Sequence, residues 1–131
     1  ILLNAIDAEI HGMTARYESN PEMENIGFWT DEKDYVSWSF EVKNPGTFSA
    51  EITFACVNGS GNSKYAVSIG EQTINGTVTE TGKWSDFVTK PLDGSFTLDK
   101  PGKYILSVKP VSKPGPAVMN LKAVVLRKSG D

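Results

Sequence analysis

An all-β sandwich or barrel is the fold class this sequence predicts, on two observations. Apolar residues recur at every second position in run after run, the period of a strand with one face buried. Clusters of Gly, Pro, Asn and Asp cut those runs at short spacing, and no stretch holds a helical period for three turns. Roughly nine or ten short strands are expected.

The elements follow in chain order. Ile1-Leu2-Leu3 is soon interrupted by Asp7 and Glu9 and is too short to cross a membrane. No basic segment precedes it, so it does not read as a signal peptide. The chain opens without Met, which predicts an excised or processed piece of something longer. Ala8-Glu9 reads as a first strand, and Tyr17 to Asn25 as a stretch with room for one helical turn. From Tyr35 to Lys43, Val36, Trp38, Phe40 and Val42 share one face, so Trp38 is expected in the core. Phe48, Ala50, Ile52, Phe54 and Cys56 repeat the pattern after the Asn44-Pro45-Gly46 turn. Beyond the Asn58 to Ser63 loop come Tyr65, Val67 and Ile69, then Gln72 to Thr79, where Asn75-Gly76 predicts a two-residue hairpin turn. Asp93-Gly94 and Lys100-Pro101-Gly102 predict further turns. Tyr104, Leu106 and Val108, then Met119, Leu121, Ala123 and Val125, close the series.

With 131 residues and no linker or repeat, a single domain over 1–131 is expected. A hydrophobic fraction of 39% against 22% charged residues belongs to a folded chain rather than a disordered one. The net charge of −3 leaves no basic footprint for nucleic acid, and the scattered lysines form no polybasic run for an anionic membrane.

Little in the chain can do chemistry. Cys56 is the only cysteine, so no intrachain disulfide exists, and its apolar setting predicts a buried, inert thiol. The only histidine, His11, would need Cys56 or a serine beside it and an orienting partner to serve a nucleophile. Asn58-Gly59-Ser60-Gly61 lacks the spacing of a nucleophile elbow, and no Lys-Ser/Thr pair follows it to hold phosphate. No acid sits in an apolar setting that would equip a glycosidase. Glu9, with Asp7 and Glu18 near it in sequence, could offer hard oxygen ligands to calcium. Trp29 and Trp84 belong to no alternating run. Each sits in a polar, turn-like segment, where so large a side chain plugs or binds something.

Taken in order, several short pieces resemble carbohydrate-binding modules of families 6 and 35, which are galactose-binding-like jelly rolls. They are Ala8-Glu9, Asn25-Ile26-Gly27-Phe28-Trp29, Asp34-Tyr35-Val36-Ser37-Trp38, Pro45-Gly46-Thr47-Phe48, Tyr65 to Gly70, Thr81-Gly82-Lys83-Trp84, Lys100 to Val108 and Val118 to Lys122. The resemblance covers nearly the whole chain. It implies a jelly-roll β-sandwich with a sugar site in the loops at one end, built from Trp29, Trp84 and Asn120 with Tyr35 at the rim. It also implies a structural calcium site using Glu9 and an acid near the C-terminus. This chain departs from that pattern at His11, where a second acid would stand, and ends on Asp131. A non-catalytic domain is the implied function, tethering a glycan-degrading parent enzyme to its polysaccharide. Its partners would be a carbohydrate and the parent's catalytic domain, its place secreted, periplasmic or at the cell surface. Two other readings stand beside it: an accessory sandwich that packs on a catalytic domain without binding sugar, with Trp84 a plug at the core's end, and a small hydrolase.

Overall fold

The computed structural model describes residues 1–129. Eleven strands make two antiparallel sheets: β1 Leu2–Asn4, β2 Glu9–His11, β3 Arg16–Glu18, β4 Asn25–Gly27, β5 Tyr35–Val42, β6 Gly46–Ala55, β7 Lys64–Ile69, β8 Gln72–Thr77, β9 Val88–Leu98, β10 Gly102–Ser112 and β11 Asn120–Lys128. One sheet runs β3-β4-β11-β6-β9, with β1 also paired to β11; the other runs β2-β5-β10-β7-β8. This is a jelly-roll β-sandwich, the fold class that the alternation and the resemblance predict. Among the described residues no helix is long and apolar enough to cross a membrane.

The inner faces come from the alternating runs. Val36, Trp38 and Val42 of β5, Phe48, Ile52 and Phe54 of β6, and Leu106 and Val108 of β10 are all buried. The indole N–H of Trp38 donates to the Asn4 carbonyl at 2.7 Å, which satisfies the one polar atom of that buried ring. Cys56 is buried as expected, and burial, with the Glu80 charge adding to it, pushes its thiol up to about 11.

The structure corrects the local expectations in four places. Residues 17–25 form no helical turn; β3 and β4 pair across them, and the one short helical turn among the described residues, of 3-10 type, is Ala5–Asp7. Asn75-Gly76 is not a hairpin turn but lies within β8, opposite Ala66 and Tyr65. The Tyr65 ring fills the space that a Cβ on Gly76 would need, so glycine serves packing there. The hairpin instead turns at Gly70-Glu71, where Gly70 supplies the left-handed φ of +60°. Asp93-Gly94 likewise sits in a continuous strand, at an irregularity where Ser49 opposes Ser95 but Glu51 opposes Pro91. In β11 a bulge between Leu121 and Ala123 reverses the inward phase, so that Val124 and Leu126, not Val125, enter the core. A single extra residue moves every later side chain to the opposite face.

Candidate functional site

A cleft of about 330 Å³ opens between loops at one end of the sandwich. Glu18 and Met23 line it from β3 and the segment after it, Phe28 and Thr30 from the β4–β5 loop, and Val57 from the β6–β7 loop. Trp84 comes from the β8–β9 loop, and Pro116, Ala117 and Asn120 from the approach to β11.

Trp84 and Asn120, far apart in sequence, meet here. The Asn120 side-chain amide donates to the Trp84 carbonyl at 2.9 Å, and Asn120 is 5% exposed. The Trp84 turn is held on both sides: Asp86 accepts from the Lys83 amide at 3.0 Å, and Thr81 Oγ accepts from the Cys56 amide at 2.9 Å. The Trp84 ring is half-buried, one part packed on the core and the rest bordering the cleft. The bulge in β11 lies just beyond Asn120, between Leu121 and Ala123; bulges gather next to functional sites.

Trp29 is not the exposed platform that the resemblance implies. It has no solvent exposure, and its indole N–H donates to the Asp34 carbonyl at 2.9 Å. The cleft aromatic is its neighbour, Phe28, 49% exposed. Phe28 has a left-handed φ of +53°, and the Thr30 amide closes a tight turn onto its carbonyl at 2.9 Å. This turn sends two successive aromatic rings in opposite directions, one to the core and one to the cleft. A left-handed φ at a bulky residue costs about 1–2 kcal/mol, and such strain gathers at ligand sites. Arg16 stacks over one face of the Phe28 ring at 4.0 Å, so a ligand meets the ring from elsewhere. Sequence reasoning missed Phe28 because size favoured its larger neighbour; no local pattern separates which of the two faces inward.

The loop is anchored from beneath. Asp34, 2% exposed, accepts the amides of Met13, Thr14 and Ala15 and the Thr14 hydroxyl at 2.9–3.1 Å. Desolvation pushes this carboxyl up, but the hydrogen bonds from Ala15, Thr14 and Met13 together outweigh it and hold its pKa below the usual 3.8. The Val118 amide donates to the Trp29 carbonyl at 2.8 Å and ties the loop to the segment that carries Ala117 and Asn120.

Tyr35 is not at the rim. It lies on the outer face of the other sheet, stacked on His11 with ring centroids 4.3 Å apart and with Lys109 at 4.6 Å over its ring. His11 Nε2 sits 2.9 Å from Ser37 Oγ and 3.9 Å from the Glu9 carboxylate. Both contacts engage the same nitrogen, and among the described residues no carboxylate orients Nδ1, so the pair lacks the third member of a triad. Glu9 is exposed beside this imidazole, and among the described residues no three His, Cys, Asp or Glu side chains converge as a metal site requires. Asp131, the C-terminal acid of the implied calcium site, lies outside the described residues. The Gly-rich loop is equally closed to phosphate, because the Glu80 carboxylate already accepts the amides of Gly59 and Gly61 at 2.9 and 3.3 Å.

The two-sheet jelly roll is a fold this chain shares with carbohydrate-binding modules. A family 35 module from Clostridium thermocellum superposes with a TM-score of 0.77 at 12% identity, over 98% of both chains. The C-terminal family 6 module of LamC, a marine laminarinase from Zobellia galactanivorans, gives 0.76 at 16% identity over 98% of both. Xyl-CBM35, in complex with a disaccharide containing glucuronic acid, gives 0.75 at 14% identity, over 99% of this chain and 94% of that one. Likeness at these identities establishes the fold. The chain itself belongs to the family described as a domain of unknown function, DUF5077, whose model matches residues 13–131. No curated protein matches it in sequence.

Proposed function

We propose that this domain is a non-catalytic carbohydrate-binding module whose site is the cleft between Phe28 and Trp84. The observation that carries the reading is the meeting of two aromatic rings with a carboxylate and a carboxamide in one solvent-open cleft. Aromatic faces cover the C–H face of a pyranose, while Glu18 and Asn120 meet its hydroxyls. The fold neighbours are carbohydrate-binding modules, which supports the same reading. In a longer chain such a domain would hold a glycan-degrading catalytic domain near its polysaccharide, outside the cytoplasm, and raise the effective substrate concentration there.

The test is titration of the isolated domain with oligosaccharides, read by calorimetry and by amide chemical shifts. Phe28→Ala is expected to keep the fold, with stability within about 1 kcal/mol because the ring is half exposed. Its sugar affinity is expected to fall about tenfold or more, the loss of one stacking face. Shifts should cluster at residues 28–30, 84 and 116–120. Undiminished affinity in Phe28→Ala, or shifts confined to the His11–Tyr35 face, would remove the cleft from the reading. Absence of binding to any glycan would leave an accessory domain that packs on a catalytic partner.

A further inference from the structure

The charge and hydrogen-bonding sense of the cleft carry its ligand class a step further, on the reading that it binds sugar. Among the described residues, Glu18 is the one charged residue that lines it. Its Oε1 accepts from Asn25 Nδ2 at 3.1 Å, which fixes the carboxylate and leaves Oε2 with no protein donor among the described residues. Asn120 gives one of its two amide hydrogens to the Trp84 carbonyl, and its Oδ1 has no protein donor among the described residues. That oxygen lies 3.2 Å from where a Cβ on Gly27 would stand, and the same Cβ would collide with Glu18 Oε1. Glu18 and Asn120 therefore meet over Gly27, whose missing Cβ leaves room for the carboxylate. Behind them the Asn25 Oδ1, fully buried, has no partner among the described residues either. Neither nearby cation lines the cleft: Arg16 rests on the Phe28 ring, and Lys122 lies 4.8 Å over the Phe87 ring.

A floor of oxygen acceptors around a fixed negative charge complements a ligand that donates. We propose that the cleft selects sugars bearing a free, protonated amine at the position facing Glu18 and Asn120, accepts the corresponding neutral hydroxyl sugar more weakly, and takes uronic acids most weakly of the three. An ammonium supplies three donors and a charge to this floor; a hydroxyl supplies one donor; a carboxylate supplies none and adds repulsion. The preference is thus opposite in sign to the glucuronic acid ligand of the Xyl-CBM35 complex.

The experiment titrates the domain with methyl glycosides of glucosamine, glucose and glucuronic acid, and their galacto counterparts, at about pH 6, where the amine is protonated. Expected is an affinity order of amine over hydroxyl over carboxylate, in steps of about fivefold, with the first step shrinking as salt is raised. Glu18→Gln keeps an oxygen for Asn25 and should collapse the amine's advantage while the neutral sugar still binds. Glu24→Gln, an exposed acid outside the cleft, should leave the order unchanged. Uronic acids binding as tightly as the neutral sugars, or an order insensitive to Glu18→Gln, overturns the inference and leaves the sugar site standing. Failure of every sugar to bind the unmodified domain overturns both.

Discussion

Trp29→Ala is expected to cost about 3–5 kcal/mol of folding stability, the range for emptying a fully buried large aromatic. Against a total of about 5–15 kcal/mol for a domain, this is about a fifth or more of what holds it folded. Two losses combine. The ring has no exposed surface, so its removal leaves a void among packed neighbours; and the Asp34 carbonyl loses the indole N–H that reaches it at 2.9 Å. Urea unfolding measures the effect as a lower midpoint at unchanged slope. Trp29→Phe, which keeps most of the volume, should lose about half as much and still bind ligand in the cleft. A Trp29→Ala variant as stable as the parent but unable to bind would mean that the ring faces the cleft after all.

The second large effect concerns Asp34. Asp34→Ala strands the amides of Met13, Thr14 and Ala15, which all point at its carboxylate. Bonds to a charged acceptor and the penalty for leaving buried donors unpaired together predict a loss of about 3 kcal/mol. The same carboxylate makes stability depend on acid. Its folded pKa lies below its unfolded value near 3.8, so the unfolded chain takes up the proton first. The contribution is complete above the unfolded value and fades as pH falls through it toward the lower folded one. Asp34→Asn should therefore be less stable at neutral pH yet lose less on acidification, the two curves converging below about pH 4. Parallel curves across that window would show that the carboxylate is not the group responsible.

Much of the fold was legible because burial on one face writes a period of two into the sequence, and β5, β6, β7 and β10 follow it. The illegible parts have physical causes. A bulge changes phase without changing composition, which is why Val125 could not be told from Val124. Asn75-Gly76 carries turn chemistry, but its glycine answers the Tyr65 ring across the strand pair, a contact that exists only once β7 and β8 are aligned. At the cleft, Trp84 and Asn120 could be put forward together only through the family resemblance, since nothing local links residues so far apart. The inward turn of Trp29 depends on the φ of Phe28, which local composition does not encode. Tyr35 stands one strand end away from the anchoring Asp34, yet alternation sends it to the outer face of the opposite sheet, beside His11.

The unequal settings of the three indoles have an optical consequence. Trp29 and Trp38, at 0% and 3% exposure, are sealed from solvent and emit as a steady background. Trp84, half-buried at the cleft wall, is the one chromophore that both water and a bound molecule can reach. A collisional quencher would dim a minority of the emission, and occupancy of the cleft would shield that same fraction. The domain thus carries its own gauge of occupancy, with no dye attached.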